Sequence, residues 1–252
     1  MRYASLGSGS KGNATLVATD NGVVLVDCGF SVRETVRRLA RLRCNPEDLD
    51  AILVTHEHSD HIRGVVPLAR KYGLPVFMTA GTAKAVSSCR DVIAHEVNPH
   101  RSLSLAGFDI IPVAVPHDAR EPVQYIFRAG GNSLGILTDL GCITPHVIDA
   151  YGECDGLLLE ANHDVGMLAN GPYPPSLKRR VGGRWGHLSN DQAAALLAAL
   201  GPERIQSLVL AHISEKNNAR ELVSAAVAPH TAAVGNLTYA CQAQGFPWQT
   251  LL

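Results

Sequence analysis

Along the chain, short apolar runs alternate with amphipathic stretches, and many of the apolar runs stop at a residue capable of chemistry. Thr15-Leu16-Val17-Ala18 and Val23-Val24-Leu25-Val26 flank Asp20-Asn21-Gly22, and an Asn-Gly pair between two apolar runs predicts a β-hairpin. From 31 to 42, Val32, Val36, Leu39 and Leu42 share one helical face. Arginines 33, 37, 38, 41 and 43 lie around the rest and read as a solvated face rather than a nucleic-acid stripe. Residues 51–54 predict a buried strand and 65–72 a helix closed by Gly73. Strands are also predicted at 75–78, 102–105, 108–115, 123–128, 133–137, 157–159 and 208–210. The stretch 189–200 is a helix capped by Ser189 or Asn190 and stopped by Gly201-Pro202. No repeat, low-complexity stretch or charge block marks a linker, so residues 1–252 read as one α/β domain.

Composition narrows the class. With 252 residues, 46% of them hydrophobic, the chain can bury a sizeable core. The opening residues contain no apolar leader, and no run approaches the roughly 20 apolar residues of a membrane span, so the expectation is a cytoplasmic protein without a membrane partner. Cysteines 28, 44, 89, 142, 154 and 241 are scattered without a C-x-x-C pair and are expected as buried small hydrophobes, not disulfides. A net charge of −1 excludes a generally basic surface, so any phosphate-binding patch must be local.

The strand at 51–54 runs into Thr55-His56-Glu57-His58-Ser59-Asp60-His61. Residues at the carboxyl ends of adjacent strands converge on one sheet edge, where sites in open α/β folds lie. Four nitrogen and oxygen donors in one tight loop suit two divalent ions better than a single tetrahedral one.

This word resembles the H-x-H-x-D-H signature of the metallo-β-lactamase-fold superfamily. The resemblance extends to Asp27 at the end of the hairpin, His117 in Val115-Pro116-His117-Asp118, Asp139 in Leu137-Thr138-Asp139-Leu140-Gly141, and His212 in Leu210-Ala211-His212-Ile213-Ser214. It implies a four-layer αβ/βα sandwich in which two mixed sheets are flanked by helices. It also implies one metal ion held by His56, His58 and His117, a second by Asp60, His61 and His212, and Asp139 bridging them, with Asp27 bracing the histidine loop. Two such ions, ~3.5–4 Å apart, share a water whose pKa falls toward ~7, giving a bridging hydroxide; Asp60 would also hold that hydroxide by a hydrogen bond. The three-histidine position favours zinc, while the oxygen-richer one also admits manganese or iron. Histidines 95, 100, 146, 163 and 230 lie outside the pattern and are left structural or superficial.

Three local features point to phosphodiesters. Leu158-Leu159-Glu160-Ala161-Asn162-His163 followed by Trp185-Gly186-His187-Leu188-Ser189 resembles words of ribonuclease Z, where Glu160 would orient His187 to protonate a departing alkoxide. Lys178, Arg179, Arg180 and Arg184 form a local cationic patch, with an exposed loop as the equal alternative. Gly7-Ser8-Gly9-Ser10-Lys11-Gly12-Asn13 offers backbone N–H groups to an anion, or is a plain turn into the 15–18 strand. Taken whole, the pattern is most similar to the small YycJ (WalJ-type) subfamily, which implies a DNA exonuclease with DNA favoured over RNA as partner. The chain has no room for the extra domain of β-CASP nucleases or the long tRNA-gripping arm of ribonuclease Z, so substrate would be held by the rim of the site. The alternative is a metal-dependent hydrolase of a small thioester, lactone or cyclic phosphodiester. A redox or non-catalytic member is disfavoured, because flavodiiron-type members carry an acidic residue where His58 stands and need a flavin domain.

Overall fold

A computed structural model describes residues 1–86 and 92–252. The first half contains β1 (Arg2–Gly7), β2 (Ala14–Thr19), β3 (Gly22–Val26), α1 (Val32–Arg41), β4 (Ala51–Leu53), the short α2 (Ser59–Ile62), α3 (Val65–Tyr72), β5 (Val76–Met78), α4 (Ala80–Ala85) and β6 (Ala94–Glu96). The second contains β7 (Leu103–Leu105), β8 (Phe108–Ala114), β9 (Val123–Ala129), β10 (Asn132–Leu137), α5 (Pro145–Tyr151), β11 (Gly156–Glu160), α6 (Val165–Asn170), α7 (Pro175–Val181), α8 (Asn190–Leu200), β12 (Ser207–Ala211), α9 (Arg220–Val227), β13 (Asn236–Tyr239) and β14 (Phe246–Thr250).

Among the described residues the strands form two sheets, ordered β14-β1-β2-β3-β4-β5-β6 and β13-β12-β11-β10-β9-β8-β7. Both are mixed. The β14-β1-β2-β3 stretch is antiparallel and gives way to parallel pairing from β3 to β6, while β7 to β10 are antiparallel and β10 to β13 parallel. The sheets face each other across a core in which Tyr3, Val17, Val24 and Leu53 meet Phe108, Tyr125, Phe127 and Leu158. On its outer face the first sheet packs Leu25 and Ile52 against Leu39 of α1 and Leu68 of α3. The second packs Leu157 and Leu210 against α5, α8 and α9 through Val147, Leu196 and Val223. Helix, sheet, sheet, helix is the expected four-layer sandwich. The buried phenols are satisfied: Tyr3 donates to Ser207 Oγ at 2.7 Å, Tyr125 to the Val54 carbonyl at 2.8 Å and Tyr151 to the Ile136 carbonyl at 2.9 Å. Among the described residues no helix is long and apolar enough to cross a membrane.

Several local expectations are met and some corrected. Gly73 closes α3 with φ 69, and Ser189 caps α8 in a reciprocal box with Gln192. Asn190 instead lies inside α8, exchanging hydrogen bonds with Asn218 at 2.8 and 2.9 Å. The hairpin pairs Thr19 with Gly22, so Asp20 and Asn21 form the turn and Gly22 opens β3. The arginines of α1 are not all solvated. Arg38 is buried against the Phe30 ring, 4.0 Å from its centroid, pairs with Glu34 at 2.6 Å, and donates to the carbonyls of Leu6 and Gln242 at 2.6 and 3.0 Å. Cys28, Cys44 and Cys154 are free and buried, but Cys142 is half-buried and Cys241 exposed; Cys89 lies outside the described residues.

Candidate metal centre and active site

The carboxyl ends of strands from both sheets meet at one edge. Asp27 follows β3, the 55–61 loop follows β4, His117 lies beyond β8, Asp139 beyond β10, Glu160 ends β11 and His212 follows β12. Asp27, Asp139 and His212 hold left-handed backbones, with φ of 60°, 55° and 51°. Such conformations cost of order 1–3 kcal/mol and persist only where surrounding structure imposes them. Gly29 lets the chain after β3 pass against the Asp60 carbonyl, where a Cβ would collide.

The loop is braced from below. Asp27 Oδ1 accepts from the Thr55 N–H at 2.8 Å, and Oδ2 accepts from the Thr55 hydroxyl and from His61 Nδ1, each at 2.8 Å. Since the Thr55 hydroxyl donates to Asp27, it accepts from His56 Nδ1, at 2.9 Å. His117 Nδ1 donates to the Gly186 carbonyl at 2.9 Å, and His212 Nδ1 to Glu160 Oε1 at 2.9 Å. Each bond commits Nδ1 as a donor and leaves Nε2 as the position that takes up a proton or a cation.

Those ring nitrogens converge. His58 Nδ1 lies 3.0 Å from His56 Nε2 and 3.2 Å from His117 Nε2. Three imidazole acceptors so close repel unless a proton or a cation sits between them, and burial followed by neighbouring histidines holds His56 well below its ordinary pKa. A second cluster gathers Asp60, His61 and His212, and Asp139 completes a third group with His56 and His61. Asp139 Oδ2 lies 3.1 Å from His61 Nε2, and among the described residues Asp139 Oδ2 and His212 Nε2 are buried without a hydrogen bond of good geometry. Orphaned acceptors, converging imidazoles and carboxylates are a donor set suited to divalent metal ions. Against burial, Asp139 and Asp60 hold His61 well above its usual pKa, and Asp139 with Glu160 raises His212 to about 9; a cation would displace those protons.

A fourth group, Asp139, Glu160, His187 and His212, is equally close, but Glu160 is saturated. Its Oε1 accepts from His187 and His212 at 2.8 and 2.9 Å, and its Oε2 from the N–H groups of Leu140 and Leu188 at 3.0 and 3.1 Å. Burial would raise this carboxyl, yet His187 and His212 hold it down to about 2. Glu160 therefore orients imidazoles, and His187 keeps Nε2 uncommitted beside a cavity of about 270 Å³. A Cβ at Gly186 would strike the Arg180 and Val181 carbonyls, so that glycine lets the His187 loop lie against the end of α7.

The structure thus brings together every predicted site residue: His56, His58, Asp60, His61, His117, Asp139, Glu160, His187 and His212. Two accessory expectations change. Most N–H groups of the loop at 7–13 are committed, Gly9 to Asn13 Oδ1, Lys11 to Gln242 Oε1, Gly12 to the Gly9 carbonyl and Asn13 to the Asp60 carbonyl, so any contact of this loop with an anion narrows to Ser10, which lines the cavity. The loop also supports the centre, with Asn13 Nδ2 donating to Asp60 Oδ2 at 3.3 Å and Ser8 Oγ accepting from the His212 N–H at 2.9 Å. Of the basic patch, Lys178 donates to the Ala169 carbonyl at 2.7 Å, and Arg180 lines the cavity while pairing with Asp118. Of the five histidines set aside, His163 is buried and four are exposed or half-buried. Thr55 and Tyr173 escaped the sequence reading: a threonine ending a strand and an aromatic between prolines carry no periodic signal.

Comparison with known proteins agrees with this geometry. A family model described as a beta-lactamase superfamily domain matches residues 23–213. Exodeoxyribonuclease WalJ of Streptococcus pneumoniae (strain D39) is 39% identical over 228 residues, covering 88% of this chain and 84% of that protein. Exodeoxyribonuclease YycJ of Bacillus anthracis is 36% identical over 231 residues, covering 90% of this chain and 88% of that one. Among solved structures, the metallo-beta-lactamase fold protein YhfI from Bacillus subtilis superimposes with a TM-score of 0.74 at 17% identity, over 98% of each chain, which shows the fold.

Proposed function

Because the chain belongs to the beta-lactamase superfamily, we propose that it is a dinuclear metal-dependent phosphodiesterase acting on nucleic acid, specifically a DNA exonuclease. The observation that carries the reading is the pairing of a divalent-metal donor set with an oriented, uncommitted imidazole, His187, across one small cavity. Both bacterial relatives bear the name exodeoxyribonuclease, which supports DNA as substrate.

In this reading His56, His58 and His117 would hold one cation and Asp60, His61 and His212 the other, with Asp139 available to both. Zinc suits the first position, and zinc or manganese the second. When bound, such cations supply Lewis acidity, lowering the pKa of water toward ~7 and neutralising charge on phosphoryl oxygens. Asp60 accepts a hydrogen bond from the attacking water and keeps it aimed at phosphorus. Glu160 binds His187 Nδ1, so that Nε2 delivers the proton to the departing alkoxide. Arg180 sits on the cavity wall, where a non-bridging phosphoryl oxygen gains a charged donor.

The test pairs metal analysis with turnover of a 5′-labelled duplex, in zinc and in manganese, beside an acyl-glutathione thioester and bis(p-nitrophenyl) phosphate. The competing class, a small thioester, lactone or cyclic phosphodiester, is favoured by the modest cavity, and preference for such a compound over DNA would establish it. His187→Ala should retain metal and lose roughly 10²–10⁴ in turnover; undiminished turnover removes the proton-donor role.

A further inference from the structure

A second cavity of about 200 Å³ adjoins the first, and Ser10 and Tyr173 line both, so an occupant of one abuts an occupant of the other. Ile213, the residue after His212, contributes an apolar wall, and Lys11, Glu215 and Lys216 stand around it. The far wall is fixed by Gln242, nearly buried, whose amide accepts from the Lys11 N–H at 2.7 Å and donates to the Gly12 carbonyl at 2.8 Å. Lys11 Nζ is paired with Glu215 at 2.6 Å. Lys216 makes no ion pair among the described residues; its ammonium lies 5.7 Å from the centroid of the Tyr173 ring.

An aromatic face, an aliphatic wall and an ammonium without a carboxylate partner form the recognition chemistry of one nucleotide, the ring stacking on a base and the cation meeting its phosphate. We propose that this cavity is the subsite for the nucleotide next to the scissile phosphate, its base stacked on Tyr173 and its phosphate held by Lys216. The assignment rests on the phosphodiesterase reading of the neighbouring centre and deepens it. A base stacked on Tyr173 has left its own helix, so the strand is unpaired beside the cleaved bond. A frayed or single-stranded end is therefore the form that engages, which is how a chain of net charge −1 can hold DNA without a broad basic surface.

The experiment uses a single-stranded oligonucleotide, the same oligonucleotide with an abasic residue beside the cleaved bond, and bis(p-nitrophenyl) phosphate. Binding of the labelled oligonucleotide is also read by fluorescence anisotropy in excess chelator, apart from turnover. Y173A should lower the ratio of kcat/KM for the oligonucleotide to that for the small diester by roughly tenfold and weaken metal-free binding to a similar extent. It should also lose discrimination against the abasic strand, while Y173F keeps all three. K216A should flatten the logarithmic salt dependence of binding by about 0.7, the value for one contact to a single strand. If folded Y173A and K216A match the wild type in ratio, affinity and salt slope, the subsite is overturned while the nuclease reading stands. If the wild type binds the oligonucleotide through Tyr173 yet cuts none, the nuclease reading falls and takes with it the placement beside a scissile phosphate, leaving only a nucleotide-binding cavity.

Discussion

Asp27 sits at φ 60 with both carboxylate oxygens occupied by Thr55 and His61, so one buried residue fixes a backbone turn and two side chains at once. Through Thr55 it also fixes the His56 ring, so that with His61 it sets an imidazole in three of the four candidate metal clusters. Asp27→Asn isolates this role, since asparagine tolerates the left-handed conformation but replaces one acceptor oxygen with a donor. Outer partners of this kind typically carry 10- to 100-fold in metal affinity, and a loss of that size is expected for the variant in competition with a chromophoric chelator. An affinity equal to the wild type's would mean that the loop holds its rings unaided. The three histidines and the aspartate of residues 56–61 were legible in the sequence because the word is dense and contiguous. The strained backbones of Asp139 and His212 were not, because left-handed geometry there is imposed by neighbouring strands, and neither is a glycine that would have announced it.

At the scale of elements, α1 ties the first sheet to the chain's last turn. Arg38 reaches the carbonyls of Leu6 and Gln242, and Glu34 holds Arg37 and Arg38 together on the helix. Hydrogen bonds from Arg37 and then Arg38 bring the Glu34 carboxyl down to about 2. A carboxyl depressed in the folded state stabilises fully above its unfolded value, near 4.5, and that contribution fades as pH falls from there toward 2. Glu34→Gln should therefore cost about 1 kcal/mol at pH 7 and nothing measurable at pH 2 in urea titrations; the same deficit at both pH values would show that the loss is steric. Elements built on strong local patterns, such as β2, β3, α1, α3 and α8, were readable from periodicity, caps and terminating glycines. Others were not. β1 and β14 come from opposite ends of the chain, Arg2 facing Thr250, and α7 and α9 present few buried positions, so their apolar signal is weak and long-range packing decides them. The same packing turned Arg38 from an expected solvated residue into an internal clamp.

For the whole molecule, the donor set is divided between the two sheets. His56, His58, Asp60 and His61 follow β4 of the first, whereas His117, Asp139 and His212 follow β8, β10 and β12 of the second. A cation bound here links the halves, and it binds the native chain alone because no unfolded ensemble brings seven such residues together. Without it, protons on His61 and His212 balance the buried carboxylates. Free cation at 100 times its dissociation constant should then add about 2.7 kcal/mol of stability. For a chain of this size that corresponds to a rise in Tm of about 5–11 °C between chelated and metal-loaded protein in calorimetry. His212→Ala should shrink the rise, whereas His187→Ala should leave it intact, because the latter ring is held by Glu160 and is assigned to proton delivery rather than to coordination. Loss of the shift in the His187 variant would move that residue, with the Glu160 it is bonded to, into the ligand set beside Asp139. Identical melting of loaded and chelated wild type would mean that the two sheets hold their facing imidazoles and carboxylates together with no cation between them.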